Sequence, residues 1–466
     1  MILINARIYV EGLIRTGIIL ITNGTITKIR INPDHKEFKT LNEKNQDGKE
    51  IDCENKLVLP GIIDIHSHLR DMGQSEKETF VTGTKAAAYS GITTVFNMPN
   101  TKPPAITEKQ VRLWIEKAQK SIYTDVGFIA GVPKGIDEDE IKRILKLGVI
   151  GFKIYPLSPL NEVNWEDSVN VQKLFRLSSK YQVPIFIHAA YNISDSEKER
   201  IIKSFEGKKF PLLELHDKLN PVEKEEDYIN FIINNYENLI LENNFDPNNY
   251  PIIHFCHVST RNAYLIIKNT LTLNQEFKIS FEVTPHHLLL SNDILLNNNN
   301  HGKVLPPLRK SDHSQYLFKQ LESGNIPLIG SDHAPHTLTE KSKDYFNSPS
   351  GFPGYETYPL VLLDKIFNYK LSFENFIKAS SENPALIFRL SNKGFIKEGY
   401  DADLMIIDKV PEYKIDYQNF FTKAKYTPFE NYSSTVKVWK VLLRGVEINN
   451  DDVTCYGKII KASYNI

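Results

Sequence analysis

Two histidines one residue apart, with an arginine two positions further on, form the group of chemically capable side chains that stands out first: Asp64, His66, His68 and Arg70 in DIHSHLRD. The octapeptide ends an apolar run opened by Pro60 and Gly61. Alternate residues of a strand project to the same side about 7 Å apart along the backbone, so His66 and His68 can hold one metal ion together. Arg70 stands one step beyond them, where its planar fork suits an anionic substrate. A metal beside an anion clamp points to hydrolytic chemistry on an acid. The plainer alternative is a pair of surface histidines flanking the edge of a strand, and partner residues downstream must decide between the two.

Partners are supplied by a repeating scaffold. From Pro60 onward, strand-like apolar runs alternate with helical patterns: GIIDI (61–65), GITTVFNM (91–98), DVGFIAG (125–131), VIGFKI (149–154), PIFI (184–187), PIIHFC (251–256), KISFEV (278–283) and PLIGSD (327–332). Helical candidates fill intervals such as 76–90, 107–120, 138–147, 166–181 and 313–324. Eight strand–helix units over about 270 residues are the signature of a (β/α)8 TIM barrel, with the active site at the C-terminal ends of its strands. His66 and His68 end the first run, Lys153 lies in the fourth, and His188, His257 and Asp332 end the fifth, sixth and eighth. Histidines scattered through a core would not choose the same end of each strand. Two metal ions about 3.5–4 Å apart need a bridging anion. Lys153 can bridge only after its deprotonated amine has reacted with carbon dioxide, and burial near cations lowers a lysine pKa in the required direction. Its other reading is a salt-bridged barrel lysine.

The ends of the chain read differently. Residues 1 to about 30 alternate polar and apolar around Asn-Gly turns, and β character returns in ADLMIID (402–408) and TVKVWKVLLRGVEI (435–448). The first 55 residues are too few to bury a core alone, so a small discontinuous, β-sandwich-like domain is expected from 1–55 and 393–466, around a barrel over 56–392. Residues 33–50 read as a loop and 189–250 as a surface excursion. Among 466 residues, 56 Lys and Arg face 57 Asp and Glu, which gives no charge excess for nucleic acid or an anionic membrane. Cys53, Cys256 and Cys455 make no disulfide framework, and no run reads as a signal peptide or a membrane span, so the cytoplasm is the expected location.

DIHSHLRD, KETFVTGTKAAAYSGITTV, NMPNTKPP (97–104), GFKIY (151–155), FCHVST (255–260), EVTPHHL (282–288), SDHAPHT (331–337) with Glu340 and Lys341, GFPGYET (351–357) and YTPFE (426–430) together resemble the amidohydrolase superfamily. Within it they are similar to the dihydroorotases of archaea and of the multifunctional animal pyrimidine enzyme. The resemblance implies that His66, His68 and Asp332 bind one zinc ion and His188 and His257 a second, with N6-carboxylated Lys153 bridging them. It implies that Arg70, Asn100 and His336 grip a substrate carboxylate. It also implies that Asp332 passes a proton from the attacking water to the leaving ring nitrogen, unless Asp332 is a ligand only. The implied reaction is the reversible cyclisation of carbamoyl aspartate to dihydroorotate in pyrimidine synthesis. A small-molecule substrate, a homodimer and association with aspartate transcarbamoylase are the partners expected on this basis.

Two positions depart from the pattern. Ala190 stands where the family commonly has glutamate two residues after the fifth-strand histidine, which puts outer support of His188 in doubt. Leu305 replaces a polar residue in KVLPPLR, and losing a charged hydrogen bond there would weaken binding ~10- to 150-fold. Cys256 and Glu282 are read as an extra metal or supporting contact, or as filling. His286 or His287 is read as pocket lining, ligand support or packing, and His216, His301 and His313 as solvated side chains. PLSPLNEVNW (156–165) is read as a mobile lid. The competing readings are an allantoinase or hydantoinase acting on another cyclic ureide, and a non-catalytic scaffold for a pyrimidine enzyme.

Overall fold

The apolar runs bounded by glycine, proline and polar residues become, one for one, the strands of a parallel barrel. A computed structural model describes residues 1–43, 45, 48–206, 211–243, 245–450 and 455–466. The barrel strands are Ile62–Ser67, Ile92–Asn97, Asp125–Gly131, Gly151–Ile154, Pro184–Ile187, Ile252–Phe255, Ile279–Val283 and Leu328–Ile329, each hydrogen-bonded to the next. Ser67 and His333 form a parallel bridge, and the His68 N–H donates to the His333 carbonyl at 2.7 Å, so the eighth strand meets the first. Helices cover the outside, which explains why these strands read as continuous apolar runs without polar alternation. The helices that follow start on side-chain caps: Thr79, Thr107, Asp137, Asp167 and Thr260 each accept a hydrogen bond from a backbone N–H two or three residues on.

Two stretches differ from their expected character. Residues 33–50 include a helix, His35–Glu43. Asp34 Oδ1 accepts from the Glu37 N–H at 2.7 Å while Glu37 Oε2 accepts from the Asp34 N–H at 3.2 Å, a reciprocal cap, and Leu41 is buried with Ile2, Ile18 and Leu20. Residues 44, 46 and 47 of that expected loop lie outside the described residues. Among its described residues the 189–250 interval holds three α-helices, of which the first, Asp195–Phe205, buries nothing. The third, Val222–Asn243, packs Tyr228, Ile232, Tyr236 and Leu239 into the main core, between the helices Ser168–Tyr181 and Arg261–Leu273. It is the barrel's fifth crossover helix; its apolar stripe at helical spacing is hidden in sequence by Asn and Glu on the other faces.

Both chain ends build a second sheet. Its strand order is Val446–Glu447, Ser433–Leu443, Leu404–Lys414, Leu57–Pro60, Ile2–Val10, Leu13–Thr22, Thr25–Ile31, with Glu50–Asp52 also paired to Ile2–Val10. Leu3, Ile8, Ile19, Val58, Leu404, Ile406 and Leu442 form its own core. Leu57–Pro60 belongs to this sheet by its hydrogen bonds and leads directly into the first barrel strand. The last short strand, Ile459–Ile460, pairs instead with Val126–Gly127 of the barrel. Asp125, at the start of that barrel strand, is gripped by Lys393 at 2.8 Å and Arg444 at 2.7 Å, which ties the two sheets together. Among the described residues, no helix is long and apolar enough to cross a membrane.

Candidate active site

Strand ends on one face of the barrel surround a cavity of about 180 Å³, and the residues expected to bind metal or substrate line it: His66, His68, Arg70, Asn100, Lys153, His188, His257, Asp332 and His336. His66 Nε2 lies 3.5 Å and His68 Nε2 3.2 Å from the same Asp332 oxygen, a group of three donors able to hold one cation. Opposite them, His188 Nδ1 lies 2.9 Å from His257 Nε2. The second nitrogens of His68, His188 and His257 are buried without a hydrogen-bond partner. Buried imidazoles that face one another in this way fit a shared metal ion better than a hydrogen-bonded core.

Electrostatics prepare the ligands. Burial first, then neighbouring cations including Lys153, hold His68, His188 and His257 well below the usual imidazole pKa, so each presents a neutral ring with a free lone pair. His66 goes the other way: burial opposes its charge, but the Glu282 carboxylate on its Nδ1 lifts it to about 10. Glu282 also lies 3.3 Å from His254 Nε2 and accepts the His257 N–H at 3.2 Å. Glu282 accepts the His66 Nδ1–H, the outer support expected of a metal-binding histidine, and it stabilises the imidazolium, so a cation at Nε2 would have to displace the proton there. Burial raises the Asp332 pKa, against the pull of His66 and Lys153.

Lys153 is 3 % exposed, and its Nζ donates to Cys256 Sγ at 2.8 Å. Among the described residues no carboxylate lies within ion-pairing distance of its Nζ. Cys256, His66 and Glu282 place potential donor atoms close together as a second group of three, and Cys256 also packs in a buried apolar cluster with Ile65 and Phe186. The backbone is held in the left-handed region at Arg70 (φ 57°), His257 (φ 37°) and Asp332 (φ 45°). Non-glycine residues pay for that conformation, and its recurrence at strand ends marks a site over-determined by its surroundings.

Beside the two clusters, Arg70 Nη2 lies 3.4 Å from His336 Nε2, while Arg70 Nε and Asn100 Oδ1 are buried without partners. Polar atoms left open towards one cavity are what a bound anion with hydrogen-bonding oxygens would satisfy. Leu305 and Val304 make the neighbouring wall apolar. Among the described residues His188 Nε2 has no hydrogen-bond partner, and its ring packs against the Tyr155 ring with centroids 4.3 Å apart.

Several secondary expectations change. His216 is buried, bonded to the Tyr345 hydroxyl at 2.6 Å and to the Val304 carbonyl at 2.7 Å, because its helix, Leu212–Leu219, lies under the loop that carries Leu305. His301 stacks on Tyr426 at 4.6 Å and His313 Nδ1 accepts the Arg261 N–H at 3.1 Å, so neither is simply solvated. His286 and His287 lie outside the cavity; His287 supports its rim by bonding the Pro306 carbonyl at 3.1 Å. In the expected lid, Asn161, Val163 and Trp165 are buried, which leaves 157–160 as its more open part. Asp64 had no assigned role: it accepts from the Ser331 N–H at 2.7 Å and hydroxyl at 2.6 Å, joining the first strand to the eighth directly beneath the ligands.

Comparison with known proteins agrees with this geometry. The amidohydrolase family profile matches residues 57–448. A dihydroorotase of Methanosphaera stadtmanae is 33% identical over 93% of this chain and 93% of its own length. One from Pyrococcus abyssi is 34% identical over 97% and 95%. Among solved structures, the L-hydantoinase (dihydropyrimidinase) of Arthrobacter aurescens superposes with a TM-score of 0.84 over 99% of both chains at 24% identity, a likeness of fold. A barrel closed under paired histidine clusters, matched from the end sheet through to Ile448, places this chain in the amidohydrolase family.

Proposed function

We propose that the protein is a dihydroorotase, interconverting carbamoyl aspartate and dihydroorotate in pyrimidine synthesis. The observation that carries this reading is the meeting, in one cavity, of two histidine clusters with Arg70, Asn100 and His336. A cyclic amide with a carboxylate on its ring needs both halves. His66, His68 and Asp332 would hold one zinc ion and His188 and His257 another, with Lys153 carboxylated to bridge them. Bound there, the ions supply Lewis acidity towards a water molecule and towards the scissile carbonyl. Arg70, Asn100 and His336 hold the substrate carboxylate and so fix the ring amide above Asp332. Asp332 takes the proton of the attacking water and returns it to the departing ring nitrogen; in the direction of ring closure the same transfers run in reverse.

The hydantoinase fold neighbours make a second cyclic ureide the natural competitor. Arg70 and Asn100 speak for the carboxylated ring, since an uncharged ureide would leave a buried guanidinium unpaired. Spectrophotometric assays of the metal-loaded protein with dihydroorotate, allantoin and hydantoin decide: turnover of dihydroorotate is expected, and turnover of only the other two rejects the reading. Less than one bound metal per chain with no turnover would instead favour a scaffold. Cytoplasmic location, a homodimer and association with aspartate transcarbamoylase belong to the same reading, supported by the resemblance alone.

A further inference from the structure

Arg309 is 3 % exposed, and its guanidinium is shared between two buried carboxylates. Nη1 donates to Asp217 Oδ1 at 2.8 Å and to the Asn220 carbonyl at 2.5 Å, and Nη2 donates to Glu225 Oε2 at 3.1 Å. Nε donates at 3.0 Å to the Ser259 hydroxyl, whose own proton goes to Glu225 Oε2. Glu225 Oε1 accepts the Ser259 N–H at 2.8 Å, and Asp217 Oδ2 accepts from the Asn292 side-chain amide at 2.8 Å. All four carboxylate oxygens are therefore satisfied, as buried charges require. The network holds two parts of the site. One is the segment 304–309, whose Val304 and Leu305 wall the cavity. Pro306 and Pro307 bring no N–H to it, so a backbone ladder cannot fix it there. Instead His216 donates to the Val304 carbonyl and the adjacent Asp217 takes Arg309, so two consecutive residues of the helix Leu212–Leu219 grip both ends of the segment. The other part is the turn after the sixth strand, where Glu225 holds Ser259 two residues beyond His257.

We propose that Arg309 is a positioning residue that couples these two parts: through Asp217 it fixes the substrate wall at Val304 and Leu305, and through Glu225 and Ser259 the turn that presents His257. Arg309 touches no reacting atom. One planar guanidinium reaches Asp217, Ser259 and Glu225 at once, which the point charge of a lysine cannot do. Asp217 and Glu225 both come from the 189–250 interval, so the chain inserted between the fifth and sixth strands is the foundation on which wall and ligand turn are set. The proposal rests on the dihydroorotase reading for the identity of the substrate, and not for the two branches of the network.

The experiment measures steady-state kinetics with dihydroorotate, zinc release to a chelator and melting temperature on the zinc-loaded full chain. Asp217→Ala is expected to raise KM ~5- to 50-fold with kcat changed less than about threefold, because the wall shifts while the ligands stay. Glu225→Gln puts an amide N–H where a carboxylate oxygen accepts, and is expected to speed zinc release about tenfold with KM within about threefold of wild type. Arg309→Lys is expected to show both changes, since the ammonium can serve one branch only at the expense of the other. The proposal is overturned if Asp217→Ala and Glu225→Gln share one pattern, each raising KM and releasing zinc in proportion to its loss of melting temperature. It is equally overturned if either variant leaves its own readout within about twofold of wild type. If Asp217→Ala does not fold, Arg309→Lys decides the wall branch, and an unchanged KM there rejects it. Absence of dihydroorotate turnover by wild type rejects the functional reading instead; zinc release then still tests the ligand turn, and KM for whichever cyclic ureide is turned over tests the wall.

Discussion

Asp332 faces two imidazoles through a single oxygen, and that geometry separates its two duties. Asp332→Asn keeps an oxygen ligand and the shape of the side chain but cannot take a proton. It is expected to lower kcat by about 10²–10⁴-fold. KM and metal content should change little, and steady-state kinetics with metal analysis checks both; a variant that loses its metal shows that ligation was the main role. At this scale the sequence was legible wherever chemistry coincided with a strand end, because barrel geometry sends those side chains to one place. Glu282 was legible only as one possible supporting contact or filling, because its strand position does not say which neighbours it meets; burial beside His66 and His254 shows them. His216 was misread for the converse reason: a polar neighbourhood in sequence lies under a loop in space.

Elements meet through a few buried polar anchors that periodicity cannot show. Glu356, just before the helix Tyr358–Phe367, accepts the backbone N–H groups of Phe421 at 2.7 Å and Thr422 at 3.1 Å, pinning the returning chain to the barrel. Burial outweighs those two hydrogen bonds and lifts its pKa from 4.5 to about 7. The folded protein therefore holds a proton that the unfolded chain has released between those values, so stability falls as pH rises through that window and levels above it. The stability gap between wild type and Glu356→Gln is expected to narrow by roughly 1–3 kcal/mol from pH 4.5 to 7, as measured by denaturant titration at each pH. A constant gap would place the titration elsewhere. The barrel strands were readable because burial on both faces leaves uninterrupted apolar runs; the helix Val222–Asn243 was not, because its buried stripe is diluted by an Asn-rich exterior.

For the molecule as a whole, the discontinuous end sheet follows from arithmetic on chain length, since neither terminus can bury a core by itself. What that arithmetic misses is the traffic between the two parts. Leu57–Pro60 runs from the end sheet straight into the strand that carries His66 and His68, and Asp125 receives Lys393, Arg444 and the Lys458 N–H at the opposite end of the barrel. The tail then crosses the barrel floor, where the Tyr464 hydroxyl contacts the Val149 and Ile150 carbonyls at 2.9 and 2.8 Å. The end sheet is thus a brace on both the beginning and the floor of the barrel.

The closure of the barrel has a thermodynamic consequence. Asp64 and Ser331, which join its first and eighth strands, are 267 residues apart in sequence, and His66, His68 and Asp332 straddle the same join. A cation on those three side chains would act as a clasp, binding only after the first and eighth strands have met, and would oppose their parting. Chelation is therefore expected to lower the melting temperature and to speed hydrogen exchange first in Ile62–Ser67 and 328–333. Saturating metal, at about 100 times its Kd, would restore about 2.7 kcal/mol. Uniform exchange across all eight strands after chelation would mean that the ring stays fastened without its metal.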